Sequence, residues 1–172
     1  MAGKHSNKPR HLRPSINVEN LQPSQLGYIA GFLDGEGGIQ ITKTARKQRS
    51  YPIALHPCVY FTNTNRTVIE SMKEWLNSGS MVVSHSKKGY RDTYILHVTG
   101  MQNIVLLLSR LLPFLIIKPK QARLLIEYCQ SRMLHHHGTD RHYSQAELEL
   151  YSALIQANKK GGKASANSRE FD

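Results

Sequence analysis

Leu26-Gly27-Tyr28-Ile29-Ala30-Gly31-Phe32-Leu33-Asp34-Gly35-Glu36-Gly37-Gly38-Ile39 is the stretch from which the fold is read. Gly27, Gly31 and Gly35 recur every fourth residue and therefore share one face of a helix. Leu26, Ile29, Ala30, Phe32 and Leu33 make the rest of the segment apolar. A glycine inside a helix costs roughly 1 kcal/mol relative to alanine. Close approach of a second helix backbone, as in small-xxx-small packing, is the contact that offsets such a cost. Asp34 and Glu36 arrive together where Gly37 and Gly38 stop the helix. Negative charge is disfavoured at that end of the helix dipole, so acids placed there anticipate a cation. Taken singly, the glycines and the acids describe a buried helix with a glycine cap. Their coincidence asks for more.

Downstream the period changes to two. Ile39 and Ile41 alternate with Gln40, Thr42, Thr44 and Arg46, the pattern of a half-buried strand with one hydrogen-bonding face. Lys47 to Ser50 form a polar turn, and Tyr51 to Thr62 read as a second strand. In that strand Val59 and Phe61 are expected inward, and His56, Cys58 and Tyr60 outward. Pro52 and Pro57 argue for an edge or a bulge. Residues 65–77 return to helical spacing. A second hairpin, Met81 to Ser86 and Tyr90 to Val98, flanks the turn Lys87-Lys88-Gly89. Three helices follow: from Gly100 to Pro113, from Pro119 to Met133, and from Tyr143 to Ala157. His135, His136 and His137 fall in a linker. Successive histidines do not share a helix face, and no His-x-x-x-His spacing with an acid accompanies them, so a polar linker outweighs a zinc site.

The chain of 172 residues carries a formal charge of +11 and a pI near 9.8, which makes a polyanion the expected partner. Its hydrophobic content of 40% suits one globular domain with a real core. No apolar run is long enough to span a membrane, and the two cysteines, Cys58 and Cys129, lack metal or disulfide-framework spacing. Residues 1–20 read as a basic flexible arm, 21–158 as the domain and 159–172 as a disordered tail. The leader is acid-poor and has no secretory core. It is equally compatible with a transit segment or a phosphate-binding arm. The compartment is expected to be intracellular, either prokaryotic cytoplasm or an organelle matrix.

Ile29-Ala30-Gly31-Phe32-Leu33-Asp34-Gly35-Glu36-Gly37 resembles the signature of the LAGLIDADG homing endonucleases. The order helix, two strands, helix, two strands, helices follows the family over about residues 22 to 130. The resemblance implies an α+β fold of αββαββα type, a saddle-shaped antiparallel sheet with helices on one face. It implies that signature helices of two copies pack together, with Gly27, Ala30, Gly31 and Asp34 at or near that contact. It implies Glu36 as ligand of Mg²⁺, or of Mn²⁺ or Ca²⁺ in its place, beside the Gly35 carbonyl. One signature in the chain implies a homodimer and a near-palindromic double-stranded DNA target.

Other roles follow position by position. Pro113-Phe114-Leu115-Ile116-Ile117-Lys118-Pro119-Lys120-Gln121-Ala122 resembles the family segment that brings a lysine to the active site, and Lys118 is the matching residue. Phe61-Thr62-Asn63-Thr64-Asn65-Arg66 resembles the end of the second strand. There Asn63 stands where an amide joins the water network, and Arg66 is a candidate cation near the cleaved phosphate. The sheet face predicts Gln40, Thr42, Thr44 and Arg46 as readers of base edges, where amide, hydroxyl and guanidinium groups match the groove's donor and acceptor pattern. Arg49, His56, Tyr60, His85, Lys87, Lys88, Arg91, Thr93 and Lys120 complete the expected DNA contacts. Rival readings are a maturase bound to intron RNA, a non-cleaving DNA-binding protein on the same fold, and a basic structural protein carrying a chance motif.

Overall fold

The computed structural model describes residues 16–45, 53–135 and 142–159. Helix α1 (Pro23–Glu36) leads into β1 (Gly37–Ala45) and β2 (Ile53–Asn63), then α2 (Arg66–Leu76), β3 (Ser80–Ser84) and β4 (Thr93–Val98). Helix α3 (Met101–Leu111), a short 3₁₀ turn (Leu112–Phe114), α4 (Pro119–His135) and α5 (Gln145–Lys159) complete the order. The four strands form one antiparallel sheet in the order β1-β2-β4-β3.

Alternation decides the two faces. Ile39 lies opposite Val59, Gly37 opposite Phe61, and Phe61 opposite Leu96. These residues join Ile29 and Leu33 of α1, Ile69 and Met72 of α2, and Leu107 and Leu111 of α3 in one core. The reverse face carries Gln40, Thr42 and Thr44 of β1, His56 and Tyr60 of β2, and Thr93 of β4 by the same parity. Thr42, Thr44 and His56 are exposed there. The α+β expectation, an antiparallel four-stranded sheet with helices, is what the chain adopts.

β1 and β2 project beyond the rest of the sheet. β2 pairs with β1 from Ile53 to Phe61, but with β4 only from Val59 onward. Pro57 sits in the part flanked by β1 alone, so its missing N–H breaks no bond to β4. Pro57 therefore lies where β2 is locally an edge, and the register runs through it without a bulge, so of the two sequence expectations the edge is the one met. Arg46, Arg49, the turn at Lys47–Ser50, Tyr51 and Pro52 lie outside the described residues.

One boundary and the burial of one residue also differ from expectation. Residues 16–20, read as part of the arm, belong to the domain: Ile16 and Val18 are buried, and the Asn17 N–H donates to the Leu76 carbonyl at 2.8 Å. Cys58, expected outward, is on the outer face by register yet is buried, with its Sγ 3.4 Å from His97 Nδ1. Burial pushes that thiol up to about 11. His135 ends α4, and His136 and His137 lie outside the described residues, as do 1–15 and 160–172.

Candidate active site and nucleic-acid interface

The chain passes from α1 to β1 with no loop, and two glycines make that possible. Gly37 caps the helix as expected but in extended form, with φ −114° and ψ 176°, rather than in the left-handed region. What requires glycine here is space. A Cβ on Gly37 would lie 2.8 Å from the Tyr60 carbonyl oxygen and 2.9 Å from Leu33 Cα. On Gly38 it would strike the Tyr60 ring, which crosses over the strand on the outer face. Glu36 is consequently delivered at the junction of helix and sheet. It is exposed, and among the described residues its carboxylate has no ion-pair partner. Gly35 is exposed beside it.

Asp34 points the other way, into the chain. Its Oδ2 accepts from the N–H groups of Ile116 and Ile117 at 2.7 and 3.0 Å, and its Oδ1 from that of Lys118 at 2.9 Å. Lys118 is the residue before Pro119, the first of α4, and its carbonyl accepts from Ala122 N–H at 3.0 Å. The acid at the unfavourable end of α1 is therefore at the favourable end of α4. Lys118 returns the arrangement: its Nζ donates to the Leu33 carbonyl at 2.8 Å and to that of Asp34 at 2.5 Å. An ammonium thus caps the C-terminal carbonyls of α1. Partial burial lowers the Lys118 pKa, and the Asp34 charge works against that fall. Two of its three N–H groups are engaged by these carbonyls, leaving a third to meet a phosphate oxygen.

The predicted neighbours are placed less centrally. Asn63 lies two residues past Phe61, the partner of Gly37, and hence at the Glu36 end of the sheet. Its Oδ1 is engaged locally, accepting from Asn65 N–H at 2.8 Å in the turn that starts α2. Arg66 is exposed, bonded to Glu70 through Nε at 2.7 Å, and stacked 5.9 Å from the Tyr94 ring centre. The Glu70 bond is also the main cause that raises its pKa. Both side chains are committed to structure at the start of α2 rather than directed at Glu36.

On α1 the faces divide cleanly. Among the described residues, a Cβ added at Gly27, Gly31 or Gly35 would meet nothing within 4 Å. Ala30 and Asp34, expected at the same contact, are buried in their own chain. Next to this open face Ile116 and Ile117 are 87% and 66% exposed.

The outer sheet face brings together Gln40, Thr42, Thr44, His56, Tyr60 and Thr93. The Thr42 hydroxyl spends its proton on the His56 carbonyl at 3.3 Å, leaving its lone pairs outward. The loop between β3 and β4 is pinned by Asp92, which binds His85 Nδ1 at 2.9 Å and accepts from Ser86 N–H at 3.1 Å. The Ser86 bond, then His85, hold that carboxyl below its usual value. Lys87, Lys88 and Arg91 are exposed around the tip, where Gly89 has φ +97°. Lys120 is exposed on the first turn of α4. Sequence reasoning missed the burial of Cys58 beside His97, and it missed Tyr143 and Asn158, discussed below. For Tyr143 the signal was present: Ser144-Gln145-Ala146-Glu147 has the capping-box spacing before an apolar run.

A carboxylate at a helix–strand junction, a lysine clasped beside it and a polar sheet face in a basic chain define an α+β nuclease. The LAGLIDADG endonuclease family matches residues 29–128, and the chain belongs to that family, whose members are nucleases acting on DNA. Similar solved structures include the archaeal intron-encoded homing endonuclease I-Vdi141I complexed with DNA, at 22% identity and a TM-score of 0.63, covering 87% of this chain and 89% of that one. The homing endonuclease I-CvuI in complex with the I-CreI target is 17% identical with a TM-score of 0.54, covering 83% of this chain and 97% of that one. The homing endonuclease I-TnaI is 15% identical with a TM-score of 0.59, covering 81% and 97%. No curated protein matches the chain.

Proposed function

We propose that two copies of this chain form a homodimer that hydrolyses one phosphodiester in each strand of a long, near-palindromic DNA target, using Mg²⁺. The observation that carries this reading is the pairing of an exposed Glu36 with a glycine face on the same helix that no described residue covers. A helix that accepts three glycines for no internal contact is suited to meet a second helix at short range. Glu36 of each copy then converges on the other near the two-fold axis.

The donors present suit the ion. Glu36 and the carbonyl of Gly35 are oxygen donors, as Mg²⁺ and Ca²⁺ prefer. Among the described residues one chain gathers no group of three metal-ligating side chains, so a second copy supplies the missing charge. When bound, a divalent ion supplies Lewis acidity and lowers the pKa of attached water. The chain's own residues do the rest. Glu36 holds the ion, Asp34 fixes the backbone that carries Lys118, and Lys118 directs its remaining N–H at charge growing on the phosphate. Gln40, Thr42 and Thr44 face base edges, and Lys87, Lys88, Arg91 and Lys120 face phosphates.

The test is digestion of a randomised duplex library with Mg²⁺, followed by sequencing of the ends. Defined ends in both strands related by a two-fold, from a particle of dimer mass by light scattering, are expected. Uncut library with Mg²⁺ and with Mn²⁺, or cutting by a monomer, would falsify the reading.

A further inference from the structure

The residues given a reading role sit on the least supported part of the sheet. Gln40, Thr42, Thr44 and His56 belong to the stretch of β1 and β2 that β4 does not reach. A two-stranded ribbon is marginal alone in water. Base readout, by contrast, needs side chains held to a fraction of an ångström.

Helix α5 crosses this ribbon and is fixed at both ends. At one end the Leu55 N–H donates to the Tyr143 hydroxyl at 2.7 Å. At the other, Asn158 Nδ2 donates to the Ile39 carbonyl at 3.0 Å. An N–H given to Tyr143 points away from β1, so Leu55 and its partner Lys43 form a non-hydrogen-bonded pair. By alternation Ile39 and Val59 do too, and the Ile39 carbonyl points outward from β1. The two bonds therefore grip opposite free edges of the ribbon. The 15 residues of α5 span roughly 22 Å at 1.5 Å each, enough to cross it.

The near end of α5 is itself locked. Arg132 of α4, buried, binds Glu147 at 3.2 Å and the His142 carbonyl at 2.7 Å, and its guanidinium lies 4.5 Å from the Tyr143 ring centre. Glu147 accepts from Ser144 N–H at 2.8 Å while Ser144 Oγ accepts from Glu147 N–H at 3.2 Å, a reciprocal cap. A buried charge pair of this kind fixes one geometry, because breaking it leaves a charge uncompensated. The far end is looser. A groove of about 270 Å³ opens between α5 and β1, lined by Gln40, Ile41, Tyr151, Ile155 and Asn158 among others. There the Asn158 amide is the polar tie to the strand.

We propose that α5 is a brace that sets the pose of the β1–β2 ribbon against DNA, with Tyr143 and Asn158 as positioning residues for base readout. The proposal rests on the DNA-cleaving reading above, and two measurements keep their failures apart. In the free protein, Tyr143→Phe keeps the ring over Arg132 and removes the acceptor for Leu55. Amide exchange at Leu55 is expected to rise about tenfold or more with melting little changed, and unchanged exchange at Leu55 overturns the brace. On a randomised duplex library with Mg²⁺, Tyr143→Phe and Asn158→Ala are expected to lose base preference by about tenfold at one contiguous block of each half-site. That block is the one relaxed by Gln40→Ala, and preferences elsewhere are retained. Asn158 is exposed, so its truncation does not threaten folding. Uniform weakening with every preference intact overturns the positioning role and leaves α5 a structural helix. A wild-type chain that enriches no sequence overturns the DNA reading and the readout role together, while the Leu55 exchange still reports on the brace.

Discussion

Asp34 and Glu36 are two residues apart and do opposite things. Asp34 is buried and accepts three backbone N–H groups, while Glu36 is exposed beyond the last turn of the helix. Asp34→Asn keeps the shape but replaces one acceptor oxygen with a donor facing N–H groups. Hydrogen bonds to a charged acceptor contribute about 1.5–3 kcal/mol each. We expect Asp34→Asn to destabilise the fold by about 2–3 kcal/mol in urea titration, and to slow cutting by displacing Lys118. Full stability in that variant would show that the clasp contributes nothing. Glu36→Gln tests the other acid. An amide is a poor substitute for the anionic oxygen a hard cation prefers, so DNA binding is expected to survive and cleavage to be lost. A gel assay of both on one duplex checks it, and near wild-type cutting removes Glu36 from catalysis. Glu36 and Lys118 were legible in the sequence because each sits in a quoted motif. Asp34 was read only as lying at or near the helix contact. Its partners lie 82 to 84 residues away, and no local pattern encodes a bond of that span.

The elements were legible where a period was unbroken. Gln40, Thr42 and Thr44 fall on the face that their alternation with Ile39 and Ile41 predicted. The same period gave the face of Cys58 but not its cover: Cys58 is on the outer side, as expected, yet enclosed beside His97. Ile16 and Val18 were lost in a basic leader, where charge hid a short apolar alternation. On α1 the glycine period predicted the open face, and the structure separates two effects there. Gly31→Ala adds a Cβ that meets no described atom within 4 Å. It should stabilise the isolated helix by up to about 1 kcal/mol. If a second copy packs on that face, the same methyl weakens association, and Gly31→Leu abolishes it. Sedimentation over a range of concentrations, set beside melting of the dilute protein, reads both effects. A Gly31→Leu protein that remains a dimer with full activity would place the contact elsewhere. Gly37→Ala has no such freedom, because its neighbours include backbone atoms at 2.8 and 2.9 Å. It is expected to destabilise by about 1–3 kcal/mol, measured in the same urea titration.

For the whole molecule, a charge of +11 secures attraction to DNA without saying which sequence is read. The fold distributes these tasks over different surfaces. Lys87, Lys88 and Arg91 surround a hairpin tip and Lys120 opens α4, whereas Gln40 lies on the outer sheet face in β1. Phosphate contacts position and base contacts specify. Lys120→Ala should therefore weaken binding to all duplexes alike, and should shallow the slope of log K against log salt by about one. Gln40→Ala should leave that slope alone and relax preference at particular base pairs, a contact of this kind discriminating by roughly 1–3 kcal/mol. Titrations across single-base variants of a selected target, repeated at several salt concentrations, separate the two. The reverse pattern, with Lys120→Ala changing preferences selectively and Gln40→Ala changing none, would mean that the exposed face of β1 is not the reading surface. The role given to α5 would then lose its object, because a brace on a ribbon that reads nothing has no effect on sequence choice.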